Sequence, residues 1–282
     1  MVERYLAPTT LDEALKALAT GDATIVAGGT DVMPQSQAGR FKLGRTLVNI
    51  RRVAGLQGAV KEGDEIRLGA LTTISQLRED AFIAKTLPVL AEAADHFASA
   101  QIRNMGTLGG NIGNASPAGD TLVPLLVLDA VVELRSAKGM RRLRLDEFFT
   151  GPGKTKRRPD EMITNIFVPA PKPGFVARFA KFGTRPALDI SAVSVGIAGL
   201  VKDGKISGVR VAYGAVAPTP VRGGAAEAAL EGQTLDAATL AAAARAAQGE
   251  VKPISDQRAS AWYRREMIHN LVKKVLADVA QG

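Results

Sequence analysis

No cysteine occurs among the 282 residues. The chain can therefore form no disulfide, and it offers neither a thiolate nucleophile nor a zinc–thiolate site. An iron–sulfur cluster held by this chain is excluded as well. Histidine is scarce. The two present, His96 and His269, lie far apart and give no metal-ligand spacing, so no metal site is assigned. Long apolar runs are missing too: the longest, Leu122–Val132, is broken by Pro124 and Asp129, far short of a membrane span. The opening MVERYLAPTT carries an early acid and no apolar stretch of the signal-peptide kind, and a cytoplasmic location is expected. No G-x-G-x-x-G occurs, which leaves a Rossmann nucleotide fold without support. GPGKT at Gly151–Thr155 resembles a Walker loop only superficially. That pattern needs a glycine where Phe148 stands, so the segment reads as a flexible basic loop.

What remains is an ordinary globular composition, 46% apolar and 23% charged, long enough for one large domain or two to three small ones. Thr107–Asp120 (TLGGNIGNASPAGD) is the most unusual stretch. It is rich in glycine and asparagine and has no charge before Asp120. Such a segment lets the backbone adopt positive φ and approach a ligand closely, with N–H groups free to line an anion nest rather than a helix terminus. A second glycine site follows the short buried strand Ala23–Ala27, which runs into Gly28-Gly29-Thr30-Asp31. That is the local form of a phosphate-binding turn, and equally of an ordinary tight turn.

The other elements follow from periodicity. Thr10 and Glu13 form a capping box ahead of Leu11, Ala14, Leu15 and Leu18 on one helical face, and Thr73 with Gln76 repeats the device. Leu87–Phe97 reads as a second amphipathic helix. Thr46–Ile50, Glu65–Gly69 and Met162–Val168 read as strands, and Val131–Arg135 with Arg141–Leu145 as a hairpin, after which Asp146 caps a short turn. Pro169, Pro171, Pro173 and Gly174 make a rigid connector. Beyond it, strands are expected at Phe175–Phe182, Ile190–Val201 and Ile206–Ala217, with Asp203-Gly204 as a hairpin turn. Alanine-rich helices follow, and the apolar stripe of Arg264–Ala280 closes the chain. The expected class is α+β: a two-lobed domain over 1–174, with subdomains of about 1–55 and 56–174, then a domain over 175–282 with an antiparallel sheet covered by helices.

The net charge of +8 is unevenly spread. Nine basic residues against two acids lie between Arg135 and Arg158. Only Phe148 and Phe149 are available there for stacking, so a solvated edge or a face for an acidic partner is expected ahead of nucleic-acid binding.

Together the two glycine segments carry a family resemblance. IVAGGTD at Ile25–Asp31, followed by RNMGTLGGNIGNASPAGD, resembles the FAD-binding (medium) flavoprotein subunits of molybdenum hydroxylases of the xanthine dehydrogenase and carbon monoxide dehydrogenase type. YLAPTTLDEALKAL and FFTGPGKT extend the likeness over essentially the whole chain. The resemblance implies FAD as cofactor. It places the first pyrophosphate loop at Ile25, Val26, Ala27, Gly28, Gly29, Thr30, Asp31 and Val32, and the second at Thr107, Gly109, Gly110 and Asn111. Asp120 matches an acid contacting the FAD ribose or adenosine portion, although by position alone it reads as a helix N-cap. Phe97 matches an aromatic that packs on the cofactor, although alone it reads as the apolar end of its helix. Ile163 and Lys181 match residues lining the flavin. Leu188, Asp189 and Ile190 fall near the isoalloxazine edge, with aliphatic Leu188 where some relatives place a stacking aromatic.

On this reading the protein is an oxidoreductase subunit with no catalytic acid or base of its own. A large molybdopterin-binding subunit hydroxylates the substrate. A small iron–sulfur subunit passes electrons to the FAD, and an external acceptor takes them, in a dimer of heterotrimers. A stand-alone FAD oxidoreductase of the same fold is the alternative, and a basic nucleic-acid protein ranks below both.

Overall fold

The fold starts from a helix whose first turn is closed by its own side chains. Thr10 Oγ1 accepts the Glu13 N–H at 3.3 Å while Glu13 Oε2 accepts the Thr10 N–H at 3.2 Å, fixing Leu11–Leu18 at its N-terminus. In this computed structural model, which describes residues 2–185 and 188–281, the helix buries Ala14, Leu15 and Leu18 against a small parallel sheet. The sheet holds Arg4–Leu6, Thr46–Asn49 and Ala23–Val26, with Thr46–Asn49 in the middle. The strand Ala23–Val26 delivers the first glycine turn, which feeds a helix at Val32–Gln37 that the sequence pattern did not predict.

A five-stranded antiparallel sheet forms the second unit, in the order Ala59–Glu62, Glu65–Gly69, Met162–Pro169, Val131–Ser136, Gly139–Arg144. Its central strand is buried from Met162 to Val168. Six helices, from Ile74–Glu79 to Leu122–Val127, lie between Gly69 and Val131 in the chain, and their apolar faces complete the core. The glycine segment is one of them. Leu108–Asn114 is an α-helix capped by Thr107, which overturns the expected loop. No glycine in it takes a positive φ; only Ala115, just past its end, is left-handed at φ 50°.

The third sheet is antiparallel, with Phe175–Phe182, Val193–Lys202, Lys205–Gly214 and Val221–Arg222 in that order. Asp203 and Gly204 turn its long hairpin at φ 51° and 74°, as a two-residue turn of matching twist requires. The helices Gly224–Leu230, Ala237–Glu250 and Ala261–Ala280 cover one face. The other face meets the fully buried helix Leu122–Val127. A Cβ at Gly196 or Gly214 would lie 2.9 or 3.0 Å from a methyl of Val123, so glycine permits this approach. Along Phe175–Phe182, Val176, Ala180 and Phe182 join the core under the C-terminal helices. Ala177 and Phe179 face the central core, and period-two alternation puts Lys181 with them.

Three local expectations are corrected. The strand expected from Ile190 begins at Val193, leaving 188–192 in the preceding loop. Asp146 caps nothing; the helix Leu145–Phe148 has Arg144 at its N-cap, and Asp146 instead accepts from that arginine at 2.6 and 3.0 Å. The supposed flexible loop is a hairpin of Phe149–Gly151 with Lys154–Thr155, docked through the Gly153 N–H on Ala115 O at 3.1 Å. The arginines around it are largely engaged. Arg141 grips Glu161 bidentately, Arg142 pairs with Glu65 over the Phe167 ring, and Arg157 donates to the carbonyls of Arg158 and Glu161. Among the described residues, no helix is long and apolar enough to cross a membrane.

Candidate cofactor-binding site

The two glycine segments meet. A Cβ on Gly28 would overlap the carbonyl oxygen of Met105 and lie 3.1 Å from Gly106 N, so the first turn packs backbone to backbone on the start of the second segment. Gly29 serves a different end. Its φ is +70°, with only ordinary contacts around a Cβ, so there glycine supplies conformation. Gln35 ties the segments together, donating from Nε2 to Asp31 Oδ2 at 2.8 Å and to Asn114 Oδ1 at 3.2 Å. Thr30 sits at the same junction, its Oγ1 3.6 Å from where a Gly106 Cβ would stand.

The donors are distributed unlike the expectation. At the second segment, the N–H groups of Leu108 and Gly109 donate to Thr72 O at 2.9 Å and Ala70 O at 2.8 Å. Those of Gly110 and Asn111 donate to Thr107 Oγ1 at 3.1 Å and Thr107 O at 2.9 Å. The nest expected there does not form, because the backbone is helical and its first N–H groups are already satisfied. At the first turn the reverse holds. Among the described residues, no protein acceptor takes the N–H of Gly28, Gly29, Thr30, Asp31 or Val32. Such a run of unpaired donors at a strand-to-helix turn has the chemistry to receive a polyanion.

A second centre joins the glycine segment to the third sheet. Asp120 is buried; Lys181 Nζ donates to its Oδ2 at 2.7 Å and Ser191 Oγ to its Oδ1 at 2.6 Å. Burial pushes the Asp120 carboxyl above the usual carboxylate range, and Lys181 and then Ser191 pull it back. Lys181 also donates to Asp189 O at 3.0 Å, so one ammonium spans the glycine segment and the loop after Phe182. The Asp189 carboxylate is held below its usual range, chiefly by the Thr184 hydroxyl at 2.7 Å. This loop presents Leu188, at φ 60° and 54% exposed, and Ile190, 51% exposed. The N-cap reading of Asp120 is corrected: Thr121 holds that position, and no side chain caps the helix.

The remaining residues lie deeper. Ile163 is buried, its Cδ1 3.8 Å from the position of a Gly113 Cβ. Phe97 is half-buried against the central core, and its carbonyl accepts from Arg103 at 2.8 Å. The structure thus gathers 25–32 with 105–114, and Asp120 with Lys181 and Asp189, while Phe97 and Ile163 back the core. Ser191 and Gln35 were missed. The link each makes across the site, Ser191 to Asp120 and Gln35 to Asn114, spans 71 and 79 residues and leaves no local signal.

A run of free N–H donors beside a close-packed glycine junction, with a buried carboxylate–ammonium pair next to an apolar loop, fits a large phosphate-bearing cofactor with an aromatic end. The class this defines is a dinucleotide-binding flavoprotein. The family described as "FAD binding domain in molybdopterin dehydrogenase" matches residues 1–171, and "CO dehydrogenase flavoprotein C-terminal domain" matches 178–279. The chain belongs to this family, as an FAD-binding medium subunit of the molybdopterin hydroxylase type. It is 36% identical over 277 residues to the "Xanthine dehydrogenase FAD-binding subunit" of Escherichia coli O157:H7, covering 97% of this chain and 94% of that one. To the "Carbon monoxide dehydrogenase medium chain" of Hydrogenophaga pseudoflava it is 31% identical, covering 96% and 95%. A solved structure of carbon monoxide dehydrogenase from that organism superposes with a TM-score of 0.93 at 32% identity, over 98% of this chain and 96% of that one.

Proposed function

We propose that this protein is the electron-transfer subunit of a heteromeric molybdenum hydroxylase, passing electrons through its FAD to an external acceptor. The observation that carries the reading is the run of five N–H groups, Gly28–Val32, with no protein acceptor among the described residues, on the turn that packs against the start of the second glycine segment. Donors left free in such a run suit the charges of a pyrophosphate, and no carboxylate except Asp31 lies on the turn to oppose them. That acid is turned toward Gln35. Ile25, Val26 and Ala27 bring the turn to its place, and Thr30, Thr107 and the side-chain amide of Asn111 flank the anion. Gly109 and Gly110 leave room for Ala70 and for the Thr107 cap, which holds the second segment in place. Asp120 is assigned to the ribose side and Lys181 with Leu188, Asp189 and Ile190 to the isoalloxazine side, with Ile163 and Phe97 behind them.

The bound flavin supplies one- and two-electron chemistry; the chain binds, orients and shields it. Partner subunits follow from this chain's lack of cysteine, since the iron–sulfur clusters must lie on another chain, and from relatives named medium chain or medium subunit. A large molybdopterin subunit and a small iron–sulfur subunit complete the proposed assembly, a dimer of heterotrimers. Within this chain the proposed units are 1–174 and 175–282.

Reconstitution tests it. The purified chain mixed with FAD and desalted retains a flavin band at about 450 nm in near-stoichiometric amount. Absence of bound flavin overturns the reading. Substrate turnover by the isolated chain with an artificial acceptor overturns the subunit role in favour of a stand-alone oxidoreductase.

A further inference from the structure

An exposed aromatic patch lies on the third sheet's helical side, on residues that take no part in the site described above. Trp262, the chain's single tryptophan, is 67% exposed, and Ile254 is 69% exposed. The Ala261 N–H donates to Ser255 Oγ at 2.9 Å, tying the residue after Ile254 to the residue before Trp262. Tyr263 follows, its ring 6.5 Å from Trp262 and 5.8 Å from Phe182, so the patch continues to the end of the strand that carries Lys181.

The patch is rigid. Arg264, buried, donates through Nη2 to both oxygens of Asp256 at 2.8 Å and through Nη1 to Ala215 O at 3.0 Å. Asp256 in turn accepts the N–H groups of Arg258 and Ala259. The turn that presents Ile254 and Trp262 is therefore bolted to the sheet beneath, and little side-chain or loop ordering remains for a binding event. A large apolar group held out in solvent by a buried ionic brace is placed at a cost, and it is the kind of anchor that dominates interface energetics.

The rim decides what covers it. Lys252, Arg258 and Arg265 fall in the same stretch of chain as the patch residues, Arg265 one helical turn from Trp262, and among the described residues none of the three makes an ion pair. Of the nearby acids, Asp256 is paired with Arg264, while Glu266 accepts from Gln248 at 2.8 Å and keeps its charge, so the stretch 252–266 remains net positive. A second copy docked about a two-fold axis would set this basic rim against itself. An acidic rim around an apolar centre is the complement. We propose that Ile254, Trp262 and Tyr263 form the docking site for a partner subunit whose contact surface is apolar at its centre and acidic at its edge. The proposal rests on the heteromer reading above.

The test uses the whole chain co-expressed with the iron–sulfur and molybdopterin subunits of its complex, purified through a tag on a partner. Trp262→Glu combined with Arg265→Glu is compared with Trp262→Phe and the wild type. The double variant is expected to keep stoichiometric FAD as the free chain, showing it folded, while its recovery in the complex falls about thirtyfold, as for loss of a tryptophan anchor. Trp262→Phe recovers most of the assembly. Hydroxyl-radical footprinting finds Trp262 exposed to oxidation in the free chain and protected in the wild-type complex. Normal assembly of the double variant, or equal oxidation of Trp262 in both states, overturns the proposal. So does a free-chain dimer that the double variant dissociates, or binding of the free chain to phosphatidylserine vesicles through these residues. Failure of the wild-type chain to join any complex overturns the heteromer reading and this one together, whereas loss of flavin alone touches only the cofactor reading.

Discussion

The Asp120–Lys181 pair makes the sharpest quantitative claim. Its side chains are 9% and 10% exposed, with Nζ to Oδ2 at 2.7 Å, so neither charge can turn to water when the other is removed. Lys181→Met keeps the stem and deletes the charge. An exposed ion pair is worth about 0–1 kcal/mol, but breaking a buried one by removing a single partner costs about 3–5 kcal/mol. The pH dependence fixes the mechanism. An unfolded aspartate titrates near about 3.9. Burial already lifts Asp120 above that in the folded chain, and Lys181 is the strongest influence pulling it back, so the variant lifts it further. A carboxyl with a raised folded pKa favours the folded state in its protonated form, and that contribution is lost as pH rises through the folded value. The deficit of Lys181→Met is therefore greatest near neutral pH and shrinks as the medium is acidified toward the unfolded value. Urea midpoints at pH 7 and pH 5 measure it. Asp120→Asn leaves Lys181 with an amide and the Asp189 carbonyl, so its deficit lacks the acid relief. The double variant, with no buried charge, is less impaired than the two single losses added together. A neutral-pH deficit below about 1 kcal/mol, or one unchanged at pH 5, would show that water reaches the pair and would refute the reasoning.

Two further substitutions separate the roles of the glycines and of the basic segment. Gly28→Ala forces a methyl into the Met105 carbonyl, so the glycine segments part; FAD titration should show at least about a tenfold loss of affinity, beside roughly 1–3 kcal/mol of stability. Gly29→Ala meets no such contact and pays only for its positive φ, about 1–2 kcal/mol, with a smaller effect on FAD; equal affinity losses would contradict the distinction. Burial raises the Glu161 carboxyl, but Arg141 and the Arg158 N–H outweigh it and hold it below its ordinary range. Its stabilisation is therefore present above the unfolded carboxyl pKa and lost as pH falls through the lower folded one. Acid unfolding of Glu161→Gln should be shallower than wild type over that window, from a lower starting stability; parallel curves would exclude the pair as a contributor.

Much of the framework was legible because its signals are local. The Thr10–Glu13 and Thr73–Gln76 capping boxes both form, and Asp203-Gly204 turns its hairpin, since each depends on residues within a few positions. The Leu108–Asn114 helix was not legible. Its glycines disfavour helix, and what holds it is the carbonyls of Ala70 and Thr72 from another part of the chain. The hairpin of Phe149–Gly151 with Lys154–Thr155 was missed for the same reason: its anchor, Ala115 O, is remote in sequence. Within the site, the residues around Lys181 read as an ordinary strand and only the family resemblance singled it out, while nothing near Ser191 announced that it would donate to Asp120.

The two glycine pairs, alike in sequence, solve different physical problems, and this changes where the binding energy arises. Gly109 is small because a Cβ would stand 2.7 Å from Ala70 Cβ, and Gly110 because one would stand 2.8 Å from the cap oxygen of Thr107. Both are therefore internal packing requirements of a short helix whose N–H groups are spent on the protein. Gly28 is small so that the first turn can lie against that helix's approach, and its neighbours keep their N–H groups for a ligand. On the proposed reading, the segment richest in glycine is thus the wall, and the poorer one supplies the donors. A helix pinned by Ala70 and Thr72 makes a stiff wall for the turn packed on its approach. If that reading holds, the affinity of the site depends on Thr72 and Ala70 as well as on the turn itself.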